Sequence, residues 1–194
     1  MKNGSLKHLD WHQRRVDESI REHFRCEPGV DLSVLKDRIA GYEKGVYKCR
    51  VSYNANEFVH SVSEYHRRKV ETLALVRCDE LEYGLKWNDR SALDALMEQR
   101  GDCDDILIVK GDSVTDSSFS NIVFKDGRRW VTPSDCLLKG THRARLLDKG
   151  VIEEANVSVE DLKGFQGFKL INAMLGFKKK AWIDIRNICF ETLG

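Results

Sequence analysis

The residue with the clearest potential for covalent chemistry is Lys86, which lies close to Tyr83, Leu85 and Trp87 in the sequence. Apolar neighbours would desolvate its amine, and desolvation favours the neutral, nucleophilic form of a lysine. The same neighbours are typical of a surface lysine whose aliphatic stem packs on aromatic rings. From these residues alone, Lys86 is either a nucleophile or an ordinary surface lysine.

Two further segments could bind a ligand. The sequence Gly-Thr-His-Arg at residues 140–143 stands where a helix is predicted to begin, and the N–H groups and dipole of a helix start favour an anion such as phosphate. A Gly-Thr pair is also an ordinary helix cap. Residues 116–121, Asp-Ser-Ser-Phe-Ser-Asn, are small and polar before an apolar run, which indicates either a turn or a ligand loop.

The composition argues against several classes of partner. The 194 residues include 32 Lys or Arg and 31 Asp or Glu, and a net charge of +1 gives no general attraction to nucleic acid or anionic membranes. No stretch approaches the roughly 20 apolar residues of a membrane span, and the first residues lack the apolar core of a signal peptide. Six scattered cysteines form no CxxC pair. We therefore expect a cytoplasmic protein with reduced cysteines and no metal site, which binds a small molecule.

Residues 1–80 predict a small lobe of helices and strands. Apolar residues at helical spacing predict a helix over 10–24, capped by Asp10, and a shorter helix over 32–39. Apolar residues at alternate positions then predict a strand over 45–53, and further strands are predicted over 57–65 and 70–77.

Residues 81–194 predict a larger lobe of short strands and helices. A helix over 90–100 precedes strands at 105–109, 121–124 and 130–132, and a helix over 141–147 follows. The last strands are predicted at 170–174 and 182–185. We expect the lobes to meet along a cleft near residues 80–86, where a ligand site would lie.

In this order, the segments resemble the class IV aminotransferase family, the fold type IV group of pyridoxal 5'-phosphate (PLP) enzymes. The resemblance runs from His8 to about Phe177 and is strongest over residues 105–145. The matching segments are Ile-Leu-Ile at 106–108, Thr-Asp-Ser-Ser-Phe-Ser-Asn-Ile at 115–122, Trp-Val-Thr-Pro at 130–133 and Leu-Leu-Lys-Gly-Thr at 137–141. The resemblance implies an α+β fold with a small N-terminal α/β lobe, a larger C-terminal pseudo-barrel lobe and the site between them.

The resemblance assigns roles around a bound PLP. Lys86 is similar to the family lysine that carries the cofactor as a Schiff base. Asp116 stands five positions before the signature asparagine, Asn121, where the family usually has a glutamate. A carboxylate there keeps the ring nitrogen protonated, so that the ring accepts the electrons released at Cα.

A phosphate site is implied by the family pattern His-x-x-Arg with a serine four residues later. His12, Arg15 and Ser19 reproduce this pattern, which makes Arg15 the expected phosphate ligand. Its planar guanidinium suits a phosphate better than a lysine would. The other expected contacts are Gly140, Thr141, His142, Asn172 and Ala173.

The sequence departs from the family at two places. Eleven residues precede His12, where relatives begin with a strand and turn, so the branch is naturally compact or the chain is clipped. Tyr53 stands where many relatives have an arginine that holds a substrate carboxylate, and Arg50 lies on the opposite face of the same predicted strand. These two residues are the candidate substrate contacts.

The small size and the Gly-Val-x-Lys strand at 45–48 resemble the 4-amino-4-deoxychorismate lyase branch, which makes 4-aminobenzoate and pyruvate for folate synthesis. In such a lyase Lys86 would be both the cofactor anchor and the general acid and base. A D-amino-acid or branched-chain aminotransferase would use the same lysine and cofactor. A non-catalytic protein that keeps the fold is the third alternative. The resemblance also implies a homodimer.

Overall fold

The computed structural model describes residues 1–39, 41–42 and 44–190. The chain divides into two compact units, Met1–Arg68 and Lys69–Gly194. The strand expected at 70–77 belongs to the second unit, where it pairs with the strand Asp105–Lys110.

The described residues of the N-terminal unit form one long helix, one short helix and one β-hairpin. Its helices are α1 (Leu9–Ser19), which continues as a π-helical turn (Ile20–Phe24), and α2 (Leu35–Arg38), which follows a 3-10 turn (Leu32–Val34). Its antiparallel strands are β1 (Tyr47–Tyr53) and β2 (Phe58–Glu64). Buried Val16, Ile20 and Leu35 form the core of this unit.

The start of α1 differs from the prediction. His8, not Asp10, is the residue before the first turn, and it adopts a left-handed conformation with φ 55°. Asp10 lies inside the first turn, where the positive end of the helix dipole stabilises its carboxylate.

The second unit is built on two sheets. Its helices are α3 (Ser91–Met97) and α4 (Thr141–Asp148), and its strands are β3 (Leu73–Arg77), β4 (Asp105–Lys110), β5 (Ser113–Ser117), β6 (Asn121–Asp126), β7 (Arg129–Pro133), β8 (Glu153–Ala155), β9 (Gly167–Ile171), β10 (Ile183–Asp184) and β11 (Ile188–Cys189). One sheet has the order β11-β3-β4-β5 and the other β10-β9-β6-β7-β8. Leu73 and Leu107 of the first sheet share one core with Phe124 and Phe168 of the second.

Strand β5 is buried although its sequence, Ser-Val-Thr-Asp-Ser, is mostly polar. The polar groups are satisfied locally, as when Thr115 Oγ1 donates a hydrogen bond of 2.7 Å to the carbonyl of Ile108. Residues 117–120 then form the turn into β6, with the N–H of Ser117 bonded to the carbonyl of Ser120. The polar segment is therefore part strand and part turn, and it places Asp116 near the end of β5.

Within the described ranges, no helix has the length and apolar character needed to cross a bilayer.

Candidate functional site

The carboxylate of Asp116 is held by hydrogen bonds from two segments. Asn121 Nδ2 donates to Oδ1 at 2.8 Å, and the N–H of Leu138 donates to Oδ2 at 3.0 Å. Asp116 is only 4% exposed. Burial raises its pKa to about 6, although these hydrogen bonds and the positive charge of Arg143 act in the opposite direction. A carboxylate can accept more than two hydrogen bonds, so Asp116 keeps the capacity to accept from a cationic N–H group.

Asn121 joins Asp116 to the start of α4. Besides its bond to Asp116, Asn121 Nδ2 donates to the carbonyl of Leu138 at 2.7 Å. Its Oδ1 lies so close to Gly140 that a Cβ there would be 2.2 Å away. Asn121 thus fixes the distance between Asp116 and the beginning of α4. A direct contact of Asn121 with a cofactor stays a prediction.

The start of α4 is the anion-binding element predicted from the sequence. Gly140 precedes the helix in an extended conformation, and Thr141 and His142 are each 7% exposed. The first N–H groups of a helix have no acceptor within it, so they can bind a phosphate. His142 Nδ1 lies 2.7 Å from the carbonyl of Asn172, which brings the turn containing exposed Ala173 to this helix.

Sequence reasoning did not assign a role to Arg143, which is 3% exposed. Its guanidinium donates to the carbonyl of Pro133 at 2.8 Å and to Glu154 Oε1 at 2.6 Å. These bonds tie α4 to the neighbouring strands, and the positive charge favours the ionised form of Asp116. The sequence signal was the arginine in the Gly-Thr-His-Arg segment, although spacing alone could not show that it is buried.

Lys86 lies in an irregular segment between β3 and α3, and its side chain is exposed. The desolvation expected from its apolar neighbours is therefore not seen in this structure. Buried Leu81 and Tyr83 anchor the preceding residues in a cluster with Ile106 and Ile108. An open cavity of about 600 Å³ lies along these residues, with Leu81, Tyr83, Thr115 and Cys136 among its walls.

Arg15, Arg50 and Tyr53 belong to the N-terminal unit. Arg15 is half-buried on α1, where Ser19 Oγ donates to its carbonyl at 2.7 Å. Arg50 is exposed on β1, whereas Tyr53 packs against the core of the unit. The two strand residues therefore differ in burial as the alternation of the strand predicted.

Comparison with known proteins shows similarity along almost the whole chain. The family model for amino-transferase class IV matches residues 87–179, which include Asp116, Asn121 and the start of α4. An uncharacterized protein of Haemophilus influenzae is 38% identical over 178 residues, which cover 91% of this chain and 95% of that protein.

Two crystal structures are similar in both sequence and fold. A candidate 4-amino-4-deoxychorismate lyase from Haemophilus somnus is 31% identical, with a TM-score of 0.84 and coverage of 91% of this chain and 93% of that chain. A candidate amino-acid aminotransferase from Mesorhizobium loti is 26% identical, with a TM-score of 0.73 and coverage of 94% and 91%.

Proposed function

We propose that this chain, which belongs to the class IV aminotransferase family, binds PLP and acts as a 4-amino-4-deoxychorismate lyase. The family membership is shown by the comparisons, and the lyase activity is the proposal. The observation that carries the proposal is the buried carboxylate of Asp116, joined through Asn121 and Leu138 to the start of α4. One element can pair with a cationic ring nitrogen and the other can bind a phosphate.

The described residues fit the cofactor. Asp116 supplies a buried acceptor, and Arg143 favours the charged carboxylate that a protonated ring nitrogen requires. The N–H groups at Thr141 and His142 would bind the phosphate, together with Arg15. Lys86 provides an exposed primary amine for the covalent link. When bound, PLP accepts the electron pair that is left when a proton is removed from the carbon bearing the substrate's amino group.

The lyase reaction requires few groups of the protein beyond these. Lys86 Nζ would remove the proton from the ring carbon that bears the amino group. The bond between the neighbouring ring carbon and the enolpyruvyl oxygen then breaks, the ring becomes aromatic, and the enolpyruvate takes up a proton to become pyruvate. The reacting carbon carries no carboxylate, so the reaction does not need the arginine clamp that Tyr53 replaces. The similarity to the lyase candidate from H. somnus supports the same choice.

An aminotransferase acting on a D- or branched-chain amino acid is the second candidate, favoured by the similarity to the M. loti structure. Such an enzyme must bind two substrates in turn and hold an α-carboxylate in each. Family membership, with Lys86 and Asp116 in place, disfavours the non-catalytic alternative. We further propose that the protein is a homodimer, as the family resemblance implies.

The deciding assay supplies 4-amino-4-deoxychorismate, made in the reaction mixture from chorismate and glutamine by the upstream synthase. The lyase releases 4-aminobenzoate and pyruvate in equal amounts with no keto acid present, and Lys86→Arg releases neither. If the protein instead transfers an amino group to 2-oxoglutarate or pyruvate and makes no 4-aminobenzoate, the aminotransferase function replaces the lyase.

A further inference from the structure

The proposed chemistry requires Lys86 to be held accurately with respect to Asp116. The lysine would act at one end of a pyridine ring and the carboxylate at the opposite end. A displacement of about 1 Å between reacting groups can slow a reaction about a hundredfold. Yet Lys86 lies in an irregular segment in which Gly84, Trp87 and Asp89 are also exposed, so bonds from neighbouring elements can help to hold it in place.

Two hydrogen bonds from cationic side chains bracket this segment. On its N-terminal side, Lys110 Nζ, at the end of β4, donates to the carbonyl of Leu81 at 2.8 Å. On its C-terminal side, Arg90 donates through a terminal guanidinium nitrogen to the carbonyl of Ser118 at 2.9 Å. The second bond reaches the turn that follows Asp116 directly.

The acceptor of Arg90 is part of a fixed turn. The N–H of Ser118 donates to Asp105 Oδ1 at 3.2 Å, and Asp105 is fully buried. The N–H of Ser117 is bonded to the carbonyl of Ser120 at 2.9 Å, which closes the turn. A bond to the carbonyl of Ser118 therefore places Arg90 relative to Asp116.

The guanidinium of Arg90 is oriented from a second side as well. Its Nε lies 3.9 Å from Asp94 Oδ1, one turn along α3, and the arginine side chain is 31% exposed. The carbonyl of Arg90 also accepts the N–H of Asp94 at 2.8 Å, so its backbone is set by the start of the helix. Arg90 follows Lys86 by four residues and thus transmits this constraint to the lysine.

We propose that Arg90 is a positioning residue that holds Lys86 in register with Asp116 by binding the carbonyl of Ser118. The proposal rests on the proposed role of Lys86. Arg90 is not proposed to contact the substrate or the cofactor. Its removal should slow the reaction of Lys86 with the cofactor aldehyde and should leave the fold of the unit unchanged.

Arg100 offers a matched control at the other end of the same helical segment. Its guanidinium donates to the carbonyl of Met97 at 2.9 Å, an exposed bond of the same chemical type. The variants to compare are Arg90→Gln, Arg90→Lys and Arg100→Gln. The lysine variant keeps a charged donor but lacks the planar fork whose separate nitrogens reach the carbonyl of Ser118 and lie beside Asp94.

Each cofactor-free variant is mixed with PLP and quenched with borohydride at successive times, and the adduct on Lys86 is measured by peptide mass spectrometry. We expect Arg90→Gln to label Lys86 about tenfold to a hundredfold more slowly than Arg100→Gln, with Arg90→Lys between them. Amide hydrogen exchange over residues 81–90 should be faster in Arg90→Gln only. Both glutamine variants should unfold cooperatively, with the melting temperature of Arg90→Gln lower by a few degrees because the buried carbonyl of Ser118 loses a donor.

Labelling of Lys86 at the control rate in the Arg90 variants would overturn the positioning role and leave the cofactor assignment intact. If Arg90→Gln does not fold, the test is the rate at which Lys86 is labelled in Arg90→Lys compared with the rate in Arg100→Gln. If the unaltered protein forms no adduct on Lys86, the proposed function fails, and the role of Arg90 fails with it.

Discussion

Replacing Asp116 by asparagine should remove a pH-dependent loss of stability from the cofactor-free protein. Burial raises the pKa of Asp116 from 3.8 to about 6, and this difference corresponds to about 3 kcal/mol. The folded state binds the proton more tightly than the unfolded state does. The resulting stability is fully present below pH 3.8 and is lost as the pH rises through about 6.

An asparagine, like the protonated carboxyl group, carries no charge, so its stability should not depend on ionisation at this site. Its amide nitrogen donates and cannot accept, so one of the hydrogen bonds from Asn121 and Leu138 is lost at every pH. Relative to the unaltered protein, the free energy of unfolding of Asp116→Asn should therefore rise by up to about 3 kcal/mol between pH 4 and pH 7.5. The neutral amide cannot hold a ring nitrogen in its protonated form, so the same substitution should weaken PLP binding and abolish most turnover.

The measurement is urea unfolding of the cofactor-free protein and the variant at several pH values between 4.5 and 8. The difference in unfolding free energy should grow with pH and level off above pH 7. A difference that does not change with pH, or that falls as the pH rises, would refute the raised pKa of this buried carboxyl group.

Four further outcomes are expected. Lys86→Ala should lose the yellow absorbance and all turnover, and full activity in it would refute the assignment of the lysine. Arg15→Ala should raise the dissociation constant for PLP about tenfold to a hundredfold, since a charged hydrogen bond contributes roughly 1.5–3 kcal/mol. An unchanged dissociation constant in a fluorescence titration would show that another residue binds the phosphate. Gly140→Ala should lower the unfolding free energy by about 1–3 kcal/mol because its Cβ would meet Asn121 Oδ1, whereas Gly164→Ala, with open space around it, should be neutral in the same urea titration. Sedimentation at micromolar concentration should give about twice the chain mass of 22.3 kDa, and a monomer alone would contradict the homodimer.

The sequence correctly predicted the elements that are specified by residues close together in the chain. Strand β1 was expected within residues 45–53 and is found at Tyr47–Tyr53, and α4 was expected from 141 and begins at Thr141. In both cases the pattern of apolar residues and the adjoining turn or cap lie within a few residues of one another. The α+β fold type followed from the resemblance, because the order of the segments is itself a sequence property.

The errors have a common physical origin in contacts between distant residues. Strand β5 is polar, and its antiparallel pairing with β4 and its burial make it a strand. Strand β3 pairs with β4, which follows the intervening α3, and a local sequence pattern does not show this pairing. Likewise, the bond between Asp116 and Leu138, 22 residues apart, gives no periodic signal.

The order of strands in the smaller sheet of the second unit also constrains how the protein folds during synthesis. Strand β11 pairs with β3, and Asn187 Nδ2 donates to the carbonyl of Glu71, 116 residues away in the sequence. This sheet can be completed only after residue 189 has been translated, and such distant pairings form slowly. The hairpin of β1 and β2 pairs residues that are close in the sequence, so it can form while the second unit is still being synthesised.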